Sequence, residues 1–430
     1  MFIAIDDTDS PEGMCTTFLA TELIREFKEL QLLDHPRLVR LNPNIPWKTR
    51  GNGAVVMILG SGTDESTQVG YHGEPIHTYA GKEKNADDAL KRAEKVVSRW
   101  AEFSREGTDP GLIVSREKPP YDLYTRAVRD VVKLEDVEEL LENMDCQYRG
   151  YGNRRGLIGA LAAMAWEPRD HTYELIAYRK KERWGTAREL NDEDFIRFQD
   201  QTKKTFDTYD HQQKQQTAAP RSPCPVLYGV RGEEPEELKR ALSMIGGEEV
   251  DRWILFKTNQ ATDDHIQNGD IENVRAWTSV RVTGRVTSPP RTIPGGHVLL
   301  DIEGKLTAAA YEPTKGFRDT FRELVPGDRL ELWGGIRNDP ITLNVEKIRI
   351  LELVEKKEKI ANPLCPDCRK RMSSAGAGAG FRCRPCGTRA GEEEVETRVV
   401  ERYLQEGRYY EVPVCARRHL SKPLKRIHSG

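Results

Sequence analysis

No stretch of this 430-residue chain approaches the roughly 18 consecutive apolar residues that a membrane helix needs. The longest apolar runs, Ala54–Leu59 and Gly159–Trp166, stop far short of it. The opening residues Met1–Ile5 meet Asp6 before any signal-like segment forms, so a cytoplasmic location and no membrane contact are expected. Internal repeats are lacking, and so is a Walker phosphate loop. A near-fingerprint at Gly150-Tyr151-Gly152 with Gly156 misses the dinucleotide spacing, which excludes an NAD reading. Cysteine is scarce, and four of the eight (Cys15, Cys146, Cys224, Cys415) are scattered, which argues against a disulfide framework. Aromatic residues make up only 7%, yet 7 Trp, 14 Tyr and 11 Phe can anchor several cores and exclude a wholly disordered chain.

What is present suggests about three domains or slightly more. Residues 1–145 alternate short strands with amphipathic helices and read as an α/β unit. Residues 146–272 continue with helix-on-sheet patterning of the ferredoxin-like kind. Residues 273–354 run three strands, a short helix and two strands, the order of an OB-fold barrel. Residues 355–430 hold two Cys-x-x-Cys pairs and a basic tail. The fold class expected is therefore multidomain α+β. Residues 61–85 are polar and Gly-rich and read as a surface excursion, and 199–219 is a polar, Gln-rich stretch with no assigned role.

Cys365, Cys368, Cys383 and Cys386 can present four thiolates to one Zn²⁺. All four positions would be filled, leaving none for water, so the expected metal is structural. Asp6, Asp7 and Asp9 crowd three carboxylates at a strand end and call for a cation, such as Mg²⁺ carried by nucleotide phosphates. The helix opening at Thr16 and Thr17 offers free N–H groups to the same phosphates. A plain acidic turn with a threonine cap is the alternative. Lys48-Thr49-Arg50-Gly51-Asn52-Gly53 is a cationic loop in which glycine permits close approach to polyphosphate; solvated charges on a turn are the alternative. Gly156 and Gly159 leave a bare helix start where a small ligand could fit; a helix start that needs tight packing is the alternative.

Residues 365–430 carry 14 Lys and Arg against 8 Asp and Glu on an otherwise acidic chain. Arg417, Arg418, Lys422, Lys425 and Arg426 follow the last acid, Glu411. With the barrel and the zinc module, they point to an RNA partner.

Several stretches together resemble one family. They are Phe2–Ser10, Gly13–Thr17, Arg40–Gly53, Arg155–Ala163, Cys224–Gly229, Thr258–Asp263 and Cys415–Lys425. In this order they are similar to the archaeal tRNA(Ile) 2-agmatinylcytidine synthetases, and the match runs nearly end to end. The resemblance implies a kinase-like N-terminal domain, a ferredoxin-like domain, an OB-fold and a zinc ribbon. It implies ATP-dependent ligation of agmatine to C2 of the wobble cytidine in the CAU anticodon of tRNA(Ile), with AMP formed. It implies that Asp6, Asp7 and Asp9 hold Mg²⁺ and phosphates, with Thr16 against the phosphates and itself a candidate for phosphorylation. Thr8, Thr17 and the Lys48–Gly53 loop then serve ATP, while Arg155, Gly156, Gly159, Asn259 and Asp263 are candidates for agmatine. Arg417, Arg418, Lys422 and Lys425 are candidates for tRNA, and no obligate protein partner is implied. The rival readings are a single-strand-binding protein without ligase activity and a plain kinase. The second would leave barrel, ribbon and tail idle.

Overall fold

The computed structural model describes residues 1–48, 51–103, 105, 107–376 and 378–427. Its first half is built from β1 (Phe2–Asp6), α1 (Thr16–Glu26), β2 (Gln31–Leu32), β3 (Arg37–Arg40), β4 (Gly53–Tyr71), β5 (Pro75–Glu83), α2 (Ala89–Trp100), β6 (Gly111–Ser115), α3 (Tyr121–Arg129), α4 (Leu134–Glu142), β7 (Cys146–Gly150) and α5 (Gly156–Ala165). There follow β8 (Thr172–Arg179), α6 (Asp192–Gln201), β9 (Thr205–Phe206), β10 (Tyr209–Asp210), β11 (Gln215–Gln216), β12 (Val226–Gly232), α7 (Pro235–Lys239), α8 (Ala241–Met244) and β13 (Val250–Thr258).

Eleven of these strands form one sheet, whose main path is β7-β6-β1-β4-β3-β13-β8-β12-β9. The two expected units, 1–145 and 146–272, thus share a continuous sheet. They join where β13 runs parallel to β3 and antiparallel to β4. The expected division at 145/146 falls at the first residue of β7, which is the edge strand beside β6. β1 sits near the middle and is buried on both faces. Ile3 and Ile5 enter the core with α1 and α2, whereas Phe2 and Ala4 enter the core with α3, α4 and α5. Two-sided burial is why this strand reads as an unbroken apolar run. Helix α5 is wholly buried and rich in Gly and Ala, with Gly156 and Gly159 letting it lie close over β1 and β6.

The segment 61–85, expected as an irregular excursion, is mostly hairpin. β4 continues to Tyr71 and pairs with β5 in the register Thr67–Thr78 and Gln68–His77. Its outer half is largely exposed, so it lacks the apolar alternation that marks a half-buried strand.

The next unit contains β14 (Ile266–Asn268), β15 (Ser279–Arg285), β16 (Arg291–Ile293), β17 (His297–Ile302), β18 (Leu306–Ala310), α9 (Phe317–Arg322), β19 (Arg329–Arg337) and β20 (Thr342–Glu352). β15 pairs with β19, β19 with β20, β20 in parallel with β18, and β18 with β17. A single bridge, Val286–Ile302, links the β15 end to β17. Short hairpins carry the four paired cysteines. Beyond them Tyr409–Glu411 returns to pair with β20, and Leu420 is buried against the α5 side of the large sheet. The stretch 355–430 is therefore two things: a ribbon, and a returning tail that ties the 273–354 unit to the body.

Candidate active site and zinc ribbon

The C-terminal end of β1 opens onto a cavity of about 420 Å³. Its wall includes Asp6, Asp7, Asp9, Thr16, Thr17 and Lys48. It also includes Gly51, Asn52, Gly53, Arg155, Gly156 and Gly159. The fold thus gathers residues up to 153 positions apart in sequence into one place. Thr8 lies just behind this wall, fully buried, and its hydroxyl donates to Thr16 Oγ1 at 3.1 Å. Thr49 and Arg50 lie outside the described residues.

Asp7 has a left-handed backbone, φ 56°, a conformation that costs a non-glycine residue about 1 kcal/mol or more. The turn brings its carboxylate back to accept the Asp109 N–H at 3.2 Å. Burial, then the neighbouring Asp9 and Asp109, push the Asp7 carboxyl up to about 7. Burial and the adjacent Asp7 hold Asp6 well above the ordinary carboxylate range. Three acids at one strand end, two of them resisting ionisation, form a site waiting for positive charge. Asp109, a fourth carboxylate on the wall, also accepts the Asn153 N–H at 2.9 Å.

Two glycines make this proximity possible. A Cβ on Gly159 would lie 1.7 Å from Asp6 Oδ2, and one on Gly156 would strike the Gly111 backbone at 2.3 Å. Gly159→Ala should therefore displace Asp6, destabilise the chain by about 1–3 kcal/mol and sharply reduce turnover. A melting curve beside an activity assay checks this, and an unperturbed, active variant would contradict it.

Arg40 and Lys48 also line the cavity, together with Arg231, Glu174 and His419. Burial, then Arg418, lowers Lys48 to about 8. At the rim, the Arg155 guanidinium lies 4.1 Å from the ring centroid of Trp47, which is 47% exposed. Asn42 and Asn44 dock this loop onto the 273–354 unit through Trp277 O at 2.8 Å and Thr278 O at 3.0 Å.

Asn259 and Asp263 are not among the cavity-lining residues. Asn259 grips the backbone of Arg40 and donates to the Tyr124 hydroxyl at 2.7 Å. Asp263 accepts from Lys347 Nζ at 2.6 Å and from the Lys422 N–H at 2.7 Å. The loop instead holds the tail: the N–H groups of Ala261 and Asp263 donate to His419 O and Leu420 O, both at 2.8 Å.

The tail is not an array of free cations. Arg417 is buried between Asp207 and Glu411. Arg418 donates to Asn44 Oδ1 at 2.6 Å, Lys422 pairs with Asp170 at 3.0 Å, and Lys425 donates to Thr205 O at 2.6 Å. Like charge along the sequence is matched by acids brought from elsewhere, which sequence order cannot reveal. Arg417→Ala would strip the buried Asp207 and the half-buried Glu411 of their shared guanidinium, a loss of about 3 kcal/mol. The expected result is a lower melting temperature with an unchanged salt dependence of RNA binding, read by filter binding at several salt concentrations.

Sequence reasoning missed Asp109, Glu174, Arg231 and His419. Arg40 and Trp47 stood inside a noted motif without a role. Asp109 begins an Asp-Pro-Gly turn and had a local signal; the other three come from distant segments and had none.

In the ribbon, the four sulfurs of Cys365, Cys368, Cys383 and Cys386 lie within 4.8 Å of one another. Tetrahedral zinc at about 2.3 Å from each sulfur requires S···S separations near 3.8 Å, so the set fits. Hydrogen bonds from the Thr388 hydroxyl and N–H lower the Cys386 thiol to about 6, favouring the thiolate a metal needs.

Three family models match in order: the TiaS TCKD domain over residues 2–153, the TiaS FLD domain over 154–265 and the TiaS C-terminal zinc ribbon domain over 362–404. The isoleucine-tRNA 2-agmatinylcytidine synthetase TiaS of Methanocaldococcus jannaschii is 39% identical over 440 residues, covering 99% of each chain. The chain belongs to the TiaS family. The Archaeoglobus fulgidus member is 42% identical, covering 100% of this chain and 98% of that one. Among solved TiaS structures, a complex with its isoleucine tRNA and ATP superposes with a TM-score of 0.82 at 40% identity, covering 99% of this chain and 97% of that one. A complex with the same tRNA, AMPCPP and agmatine gives 0.80 at 37% identity, covering 99% and 96%.

Proposed function

We propose that this chain joins agmatine to C2 of the wobble cytidine in the CAU anticodon of tRNA(Ile), using ATP and releasing AMP. The observation that carries the proposal is the cavity itself. Three carboxylates, the start of α1 and a cationic loop converge there, in a chain aligned with family members from end to end. TiaS structures solved with isoleucine tRNA, ATP, AMPCPP and agmatine support the substrate set.

Cytosine O2 is a poor leaving group, so amination at C2 requires its activation. In this reading it becomes a phosphate ester: the γ-phosphoryl group leaves ATP for O2, agmatine's primary amine bonds to C2 and gives up its proton, and the C2–O2 bond breaks with phosphate leaving; AMP forms when the remaining β-phosphoryl group passes to the Thr16 hydroxyl and from there to water. Asp6, Asp7 and Asp9 would hold Mg²⁺, which neutralises phosphate charge during transfer. The N-terminus of α1, with the Thr16 and Thr17 hydroxyls, would face the same phosphates with the positive end of its dipole. Lys48 supplies a mobile positive charge. Gly156 and Gly159 serve the site by letting α5 close onto the Gly111 backbone and the Asp6 carboxylate, and Arg155 stands at the cavity rim. Asn259 and Asp263 serve this site from behind, by fixing Arg40 and the tail. The cytidine must leave the anticodon stack to enter.

The 273–354 unit is read as an OB-fold: its pairing order β15-β19-β20-β18-β17, closed by the Val286–Ile302 bridge, is that of the five-stranded Greek-key barrel. The body is read as the kinase-like and ferredoxin-like units fused edge to edge. Incubation with ATP, agmatine and a CAU-anticodon tRNA(Ile) transcript, followed by nucleoside mass spectrometry, tests the proposal. One cytidine should gain agmatine less water. An unmodified nucleoside pool from a folded, tRNA-bound enzyme would defeat it.

A further inference from the structure

The cavity wall also holds two arginines and a histidine that the proposed reaction has not yet used. Arg231 comes from β12, Arg40 from β3 and His419 from the tail, so three distant segments meet there. Arg231 is 8% exposed, yet its one hydrogen-bond contact among the described residues is with His419 Nδ1 at 3.5 Å. Among the described residues its Nε has no hydrogen-bond partner, and neither does Arg40 Nε. Glu174 stands near both guanidiniums, at 3.7 Å from Arg40 and 3.9 Å from Arg231, beyond hydrogen-bond distance. Its carboxylate is instead engaged by Gln260 Nε2 at 2.5 Å. Asp207 is likewise 3.9 Å from Arg231 and is taken by Arg417.

A buried guanidinium normally satisfies most of its five N–H groups, because an unpaired buried donor is costly. Here two guanidiniums sit side by side with donors unspent. The third member is tuned to match. A guanidinium can only donate, so His419 Nδ1 accepts and the ring proton resides on Nε2. That nitrogen lies toward Gly51, where a Cβ would come within 3.5 Å of it. Burial and then Arg40, Arg231 and Lys48 keep the imidazole neutral. The result is a set of N–H donors on one wall with Lys48 beside it, where Gly51 and Gly53 let the Arg40 guanidinium lie against their backbone and donate to Gly51 O at 3.4 Å.

We infer that Arg40, Arg231 and His419 form a phosphate-binding subsite on the wall of the cavity that the aspartates share, and that the C-terminal tail is therefore part of the active site. The ligand chemistry is a phosphate ester. It has two possible sources, a nucleoside triphosphate or the backbone of the everted RNA nucleotide. Bound anion would occupy the unspent donors and offset the mutual repulsion of the clustered cations. The inference adds to the proposed function without needing it, because binding is read with no turnover.

The test uses the full chain, with Arg231→Gln and His419→Gln each compared with wild type. Affinity for ATP is measured without tRNA, affinity for tRNA without ATP, and tripolyphosphate is used as a competitor. Loss of one charge-assisted contact should weaken one of the two ligands about tenfold or more. A loss confined to ATP assigns the subsite to the nucleotide; a loss confined to tRNA assigns it to the RNA backbone. Arg231→Lys, which keeps the charge, should recover part of the affinity. Melting curves run alongside report folding. Unchanged affinity for both ligands in folded Gln variants, with tripolyphosphate competing as in wild type, would overturn the inference.

Discussion

Asp7→Asn is expected to abolish ATP turnover while leaving tRNA affinity close to wild type. The amide is nearly isosteric, and its oxygen can still accept the Asp109 N–H that holds the turn. What disappears is the negative charge. Loss of a preorganised electrostatic group at a reacting phosphate typically costs about 10²–10³ in rate, and the neighbouring Asp6 is itself reluctant to ionise. The variant should also change how stability depends on pH. Asp7 titrates at about 7 in the folded chain against an ordinary 3.8. Between those values the folded state keeps a proton that the unfolded state has released. Stability without Mg²⁺ must therefore fall as pH rises from about 4 to 7, and it is retained below that window. In Asp7→Asn that part of the slope vanishes, and the melting temperature above pH 7 should rise. Normal turnover by the folded variant would reduce residues 6–9 to an acidic turn.

Cys383→Ser is expected to release about one zinc per chain and unravel the ribbon alone. The apolar core there is tiny: Cys365, Met372, Phe381, Cys383 and Ala390 are its buried members. A core of that size cannot offset the chain entropy of the surrounding loops. A structural zinc contributes folding free energy on the order of 10 kcal/mol, so removing one ligand removes the main stabilising term. The body has its own two large cores and should stay folded. Elemental analysis, limited proteolysis and tRNA binding should all change together, with tRNA-independent ATP chemistry surviving. A wild-type protein without stoichiometric metal would refute the site.

How far the sequence disclosed this arrangement depends on whether the signal was local. Asp6, Asp7, Asp9 and the four cysteines declared themselves because crowded like charges and paired thiols are unusual at any position. The order of strands and one short helix over 273–354 was legible from turn spacing. The continuous sheet was not, because the β13–β3 junction rests on backbone pairing between Lys257–Thr258 and Arg37–Leu38, which leaves no mark on side-chain pattern. β6 went unnoticed behind an Asp-Pro-Gly turn, and the outer half of the β4–β5 hairpin because exposed strands need no apolar alternation. The tail misled most. Its cations imply a polyanion when counted along the chain, yet Asp170, Asp207, Glu233 and Glu411 neutralise much of that charge in space. His419, an inconspicuous residue between Arg418 and Leu420, is what the tail carries into the cavity.

At the centre of the proposed reaction, the C2 oxygen of cytidine departs as phosphate. tRNA(Ile) bearing ¹⁸O at C2 of the wobble cytidine, incubated with the enzyme, ATP and agmatine, tests this most directly. One ¹⁸O is expected in the released inorganic phosphate for each agmatine joined, with none left on C2 of the product. Agmatine incorporation with the label released in water instead, and unlabelled phosphate, would contradict it.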